Sequence, residues 1–131
     1  MADARSLNQV TLIGRIPKDV NFEWTKGEKR TGFCRFQVVT NEIMRGGKSY
    51  AEYHNCVAWG PNAELLRDHA SIGLLLCIKG RLRHKSFKDK EGNWKNWTQV
   101  EAERIIFLGK GADQPVDEEP EEQEEHEQDP Y

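Results

Sequence analysis

Period-two alternation of apolar and polar residues runs through most of the first 110 positions of this chain, and one stretch alone departs from it toward helical spacing. That pattern restricts the fold to a strand-built domain carrying a single helix. Val10 to Arg15 is rich in β-branched residues and is followed by Pro17, a stop signal. Phe22-Glu23-Trp24-Thr25 is a short second piece, closed by a turn at Lys26-Gly27. Phe33 to Thr40 alternates cleanly: Cys34, Phe36 and Val38 point one way, and Phe33, Arg35, Gln37 and Val39 the other. Arg45-Gly46-Gly47-Lys48 reads as a flexible connection to the next strand, Tyr53 to Trp59, which Gly60-Pro61 ends. Pro61 to about His69 is the helix, because Pro fits a first helical turn and Leu65 and Leu66 supply an apolar face. Leu74 to Phe87 is a long strand, with Gly80 where a bending strand wants a missing side chain. Asp89 to Asn93 is a hairpin tip, and Trp97 to Leu108 returns as the last strand.

The expected class is all-β with one short helix. Five strands with the helix between the third and fourth is the layout of the OB-fold, a small, partly open barrel. Charge divides the chain in the same place as the pattern. All 19 Lys and Arg residues lie at or before Lys110, giving residues 1–110 a charge of +7, while residues 111–131 carry −10. The tail has only Val116 and Tyr131 as large apolar residues, too few to offset its ordering entropy. The expected organisation is one folded domain over 1–110 and a disordered acidic tail over 111–131. A basic body suits a polyanion, because phosphate contacts release condensed counterions. Three widely spaced cysteines, Cys34, Cys56 and Cys77, read as reduced, buried thiols of an intracellular protein. No signal peptide or membrane-spanning run is expected, since the longest apolar run, Ile72 to Ile78, is short and broken by Gly73.

The segment Cys77 to Phe87 carries the strongest functional signal. Ile78, Gly80, Leu82 and His84 share one face, and Lys79, Arg81, Arg83, Lys85 and Phe87 share the other. A run of cations is usually just a solvated face. Here no acid interrupts the stripe along the strand, and an aromatic closes it. On the preceding strand Tyr53, Asn55, Val57 and Trp59 share a face, opposite His54, Cys56 and Ala58. A Tyr and a Trp so placed also suit a core, but the small residues opposite suit a packed interior better. The aromatic face would then be outside, where it needs a ligand or partner. Cations that follow a backbone, interleaved with rings on which bases stack, are the chemistry of single-stranded nucleic acid binding. Arg35 adds a cation, and Trp97 is either a further platform or a pin for the hairpin. Trp24 reads as packing.

Enzyme chemistry has little support. His54 and Cys56 at i, i+2 lack the tight paired spacing of zinc sites, and Arg45-Gly46-Gly47-Lys48 lacks phosphate-loop spacing. Glu101 and Glu103 share a strand face without an acid–base partner. No metal, cofactor or catalytic residue is expected.

Leu7 to Arg15 resembles the opening strand of bacterial single-stranded DNA-binding protein (SSB). So do Phe36-Gln37-Val38-Val39-Thr40-Asn41, then Tyr53 to Gly60 with Ala63-Glu64, then Lys79-Gly80-Arg81-Leu82-Arg83. Gly92 and Val100-Glu101-Ala102 complete an ordered set over about residues 5–108. The resemblance implies an OB-fold homotetramer that wraps single-stranded DNA, with Tyr53, Trp59 and Phe87 at stacking positions. Met44 falls near a position often held by Trp, and Pro61 replaces a residue that is often basic. His54 matches a histidine of subunit contact. The family typically ends in an acidic peptide closed by Pro-Phe that recruits partners. This chain ends Glu127-Gln128-Asp129-Pro130-Tyr131, with Tyr in place of Phe and almost no linker.

The expected function is sequence-independent protection of single-stranded DNA in replication, recombination and repair, in the cytoplasm at the nucleoid, with replication and repair proteins recruited by the tail. A single-stranded RNA binder shares the stacking chemistry and differs in 2′-hydroxyl contacts. A protein-interaction module would use the same aromatic face without needing Arg81, Arg83 or Lys85.

Overall fold

In a computed structural model describing residues 5–109, six strands and one α-helix follow the expected order. They are β1 (Val10–Arg15), β2 (Asn21–Trp24), β3 (Gly32–Ile43), β4 (Ser49–Trp59), α1 (Pro61–His69), β5 (Leu75–Lys88) and β6 (Trp94–Phe107). β2 is the short second piece. It pairs along the edge of β3, from Asn21↔Arg35 to Trp24↔Gly32, and supplements the five longer strands. The tail 111–131, with the partner-binding candidates Glu127, Gln128, Asp129, Pro130 and Tyr131, lies outside the described residues.

The sheet order is β1-β5-β6-β4-β3-β2, and a further pairing of β1 with β3 at Arg15↔Val39 closes it. β4 and β6 run parallel through Cys56↔Val100 and Val57↔Glu101; the other pairs are antiparallel. This is the OB-fold barrel. Two glycines permit the closure. A Cβ on Gly14 would collide with the Val39 carbonyl oxygen, where β1 crosses β3. A Cβ on Gly80 would collide with the Glu101 carbonyl oxygen. Gly80 sits at a register shift, since Lys79 faces Arg104 but Gly80 faces Ala102, leaving Glu103 as the extra residue of a bulge.

Cys34, Phe36 and Val38 of β3, Cys56 and Ala58 of β4, and Leu76 and Ile78 of β5 point into the core, as the alternation predicts. The helix plugs one end with Ala63 and Leu66, both fully buried. Leu65, expected beside Leu66, is only half-buried; the smaller Ala63 takes the inward position. Full burial of a side chain such as Leu66 contributes about 1.5–3 kcal/mol.

Two hairpins leave the barrel. β3 and β4 continue as far as Ile43↔Ser49, and a 3-10 turn at Arg45–Gly47 joins them where a flexible connection was expected. β5 and β6 continue to Lys88↔Trp94, and from Arg83 and Gln99 outward their ladder pairs only with itself. At the root of this arm the Asn8 side chain imitates a strand. Its Nδ2 donates to the Leu82 carbonyl at 3.0 Å, and its Oδ1 accepts from the Leu82 N–H at 2.8 Å. At the tip, Asp89 Oδ1 accepts from the backbone N–H groups of Glu91 (2.9 Å) and Asn93 (2.8 Å).

Candidate nucleic-acid interface

Paired strands bring outward side chains into rows across the sheet. Arg35 stands opposite Val57, Val57 beside Glu101, and Glu101 opposite Arg81. The next row holds Gln37 opposite Asn55, with the Gln37 Nε2 donating to the Asn55 Oδ1 at 3.0 Å. Along the arm, Arg83 faces Gln99, Lys85 faces Trp97, and Phe87 faces Lys95. Among these rows lies a groove of about 490 Å³, which Arg81, Arg83, Lys95 and Glu101 do not line. Of the expected site residues, Arg35, Asn55, Val57, Lys85, Phe87 and Trp97 line it. Val57 is only 4% exposed and forms floor, not a projecting contact.

Rings stand at the groove and along the same face. Phe87 and Trp97 are roughly half exposed on the arm, and the Trp97 indole N–H donates to Gln99 Oε1 at 3.0 Å, which fixes the ring. Tyr53 and Trp59 are 52% and 45% exposed, so the aromatic face of β4 is outside, as inferred from the small residues opposite. Six residues separate them, roughly 20 Å along a strand. Trp59 rests on Phe33 with ring centroids 4.4 Å apart, and the Arg35 guanidinium lies 4.8 Å from the Phe33 centroid.

The charge pattern differs from the single-strand reading in one respect: acids do interrupt the cationic stripe, from the neighbouring strand. Arg81 Nε lies 3.2 Å from Glu103 Oε2 and 3.9 Å from Glu101 Oε1, and Arg83 Nη1 lies 3.7 Å from Glu101 Oε1. Arg35 Nη1 lies 3.5 Å from Glu23 Oε2. All these cations remain largely solvent-exposed, so the pairs are weak and exchangeable for phosphate. Lys85 has no acid partner among the described residues and lines the groove. Lys79 lies off the groove, in a row with Thr11 and Arg104.

Lys18, Asp19, Asn21, Gln37 and Gln99 also line the groove and were not foreseen. Gln37 shares the outward face of Arg35, which is the one signal that pointed to it. Lys18 and Asp19 lie in a connection that no periodicity places.

Other candidates fall elsewhere. His54 Nε2 lies 2.9 Å from Thr40 Oγ1, away from the groove lining. Trp24 packs edge-on against Phe22 with centroids 5.2 Å apart, beneath the Arg30 guanidinium at 4.6 Å. Burial pushes the Cys34 thiol up to about 11 and the Cys56 thiol up to about 12, so both are neutral at physiological pH. Neutral thiols are poor nucleophiles and poor metal ligands. Among the described residues, no helix is long and apolar enough to cross a membrane.

Fold and groove together define an OB barrel with a cationic groove bordered by exposed rings. Residues 7–108 match the single-strand binding protein family, and the chain belongs to that family. It is 32% identical over 108 residues to a single-stranded DNA-binding protein of Clostridium tetani, covering 82% of this chain and 74% of that one. It is 33% identical over 104 residues to single-stranded DNA-binding protein 1 of Streptococcus pyogenes, covering 79% and 80%. A solved structure described as a Plasmodium falciparum SSB complex with ssDNA superposes with a TM-score of 0.72 at 23% identity, over 82% of this chain and all of that one. That likeness is one of fold.

Proposed function

We propose that this chain coats exposed single-stranded DNA, without sequence preference, as a replication, recombination and repair factor. The observation that carries the reading is the groove, where Lys85 and Arg35 stand among Phe87 and Trp97, with Trp59 two residues beyond the groove-lining Val57 on β4. Bases of any sequence have a face to stack, and the cations neutralise the backbone between them. The names of the relatives from Clostridium tetani and Streptococcus pyogenes favour the same ligand. The protein acts by occupying the strand, not by chemistry on it: coating removes hairpins and shields the strand from nucleases. Arg35, Tyr53, Asn55, Trp59, Arg81, Arg83, Lys85, Phe87 and Trp97 make the contacts, with Val57 as floor. Tyr53, Trp59, Arg81 and Arg83 contact the DNA strand beyond the groove lining; Lys79 contributes long-range attraction at most, because its row, with Thr11 and Arg104, holds neither a ring nor a groove-lining residue.

The same reading assigns a homotetramer with His54 near a subunit contact, and a cytoplasmic, nucleoid-associated location. It gives Glu127–Tyr131 the recruitment of replication and repair enzymes. Competition between matched oligo-dT and oligo-U tests the ligand: preference for dT supports the proposal, and tighter U binding replaces DNA with RNA. Mass measurement in solution tests the tetramer.

A further inference from the structure

The β5–β6 arm is a two-stranded ribbon with two faces, and only one of them belongs to the groove. Lys85, Phe87 and Trp97 point to the groove. The opposite face carries three cross-strand pairs: His84 with Thr98, Ser86 with Asn96, and Lys88 with Trp94. The first two are hydrogen-bonded, His84 Nδ1 to Thr98 Oγ1 at 3.0 Å and Ser86 Oγ to Asn96 Oδ1 at 3.1 Å. The third is a cation beside a ring, with Lys88 Nζ 5.3 Å from the Trp94 centroid. Trp94 is 67% exposed, the most exposed ring among the described aromatics.

We infer that Trp94 and Lys88 form a second stacking platform on the back of the arm, taken by the same DNA strand as it leaves the groove and passes around the ribbon. The inference rests on the proposed function. Three observations carry it. The back-face pair repeats the cation-and-ring chemistry of the groove-side rungs Lys85↔Trp97 and Phe87↔Lys95. The platform is preorganised, because the two bonds to Asp89 Oδ1 fix the turn that sets Trp94 opposite Lys88. The arm from Arg83 to Trp97 holds five Lys or Arg against Asp89 and Glu91, so its charge favours a polyanion on either face. Asp89 is moreover paired with Lys95 at 3.9 Å.

The test is Trp94→Ala in the full chain, titrated with two ligands. One is an oligo-dT of about eight nucleotides, within the usual span of one OB-fold; the other is long poly-dT. The back platform predicts unchanged affinity for the short ligand and roughly five- to 150-fold weaker binding of the long one, the equivalent of one stacked base. Trp94→Phe should restore most of the loss. Unchanged binding of poly-dT overturns the inference. So does equal weakening with both ligands, which would mean disturbed groove geometry, and so does a change in oligomeric mass, which would make Trp94 a subunit contact. The unaltered chain titrated in parallel separates the failures: if it shows no saturable binding of either ligand, the proposed function itself fails, whereas binding that only Trp94→Ala leaves unchanged overturns this inference alone.

Discussion

Phe33 supports Trp59 from behind. The centroids are 4.4 Å apart with planes inclined at 46°, and Phe33 is nearly buried while Trp59 keeps 45% of its surface in solvent. A ring held this way loses little freedom when a base stacks on it. Trp59→Ala is therefore expected to weaken single-stranded DNA binding by about 1–3 kcal/mol. Thermal unfolding should change much less than for Phe33→Ala. A fluorescence titration with unchanged affinity would remove Trp59 from the interface.

The acids of β6 restrain the stripe on β5. Glu103→Gln frees Arg81 from its nearest partner and is expected to tighten binding at low salt. The lost surface pair should cost no more than about 1 kcal/mol of stability. Arg81→Ala should flatten the plot of log affinity against log salt by about 0.7, one single-strand phosphate contact. An unchanged slope would place Arg81 outside the DNA path.

The arm depends on a glycine at its base. Gly80→Ala drives a methyl group into the Glu101 carbonyl and is expected to destabilise the fold by about 1–3 kcal/mol, read from a denaturant midpoint. Asn8→Ala, which removes two hydrogen bonds to Leu82, should instead leave the midpoint nearly unchanged and raise amide exchange along Leu82–Lys88.

The buried thiols set a limit at alkaline pH. Their folded values lie above the ordinary value of 9.0, so the stability of keeping them neutral is complete below pH 9. It is lost as pH rises toward about 11 for Cys34 and about 12 for Cys56. The double variant Cys34→Ala, Cys56→Ala should lose stability less steeply over that window. In neutral alkylation of the native protein, Cys77, the one thiol not fully buried, should react first.

The tail predicts a charge effect of its own. Deleting residues 111–131 removes ten acids and is expected to tighten DNA binding at low salt, with the difference fading as salt rises. Unchanged or weaker binding would argue against competition between tail and DNA.

Strand order, inner face and hairpin tip were legible because burial enforces alternation. Cys34, Phe36 and Val38 had to face the core, and Gly80 had to lack a side chain. Asn41 to Ile43 are exposed and Ser49 to Glu52 are all half-buried, so neither segment alternates in burial and their continued pairing left no period to read. Glu101 and Glu103 stood plainly in the chain, but their approach to Arg81 depends on register and on a bulge, neither of which a single strand reveals. The groove residues Lys18 and Asp19 come from a connection whose course is set by closure of the barrel, not by any local pattern.

In the proposed function, the face of Trp59, Phe87, Trp97 and Lys85 holds unpaired DNA. The most direct test is quenching of the intrinsic tryptophan fluorescence of the full chain by oligo-dT and by a duplex of equal length, in the same buffer. The expected result is saturable quenching by oligo-dT that weakens steeply with salt, with much weaker binding of the duplex. Equal or tighter binding of the duplex, or no quenching by oligo-dT, would contradict it.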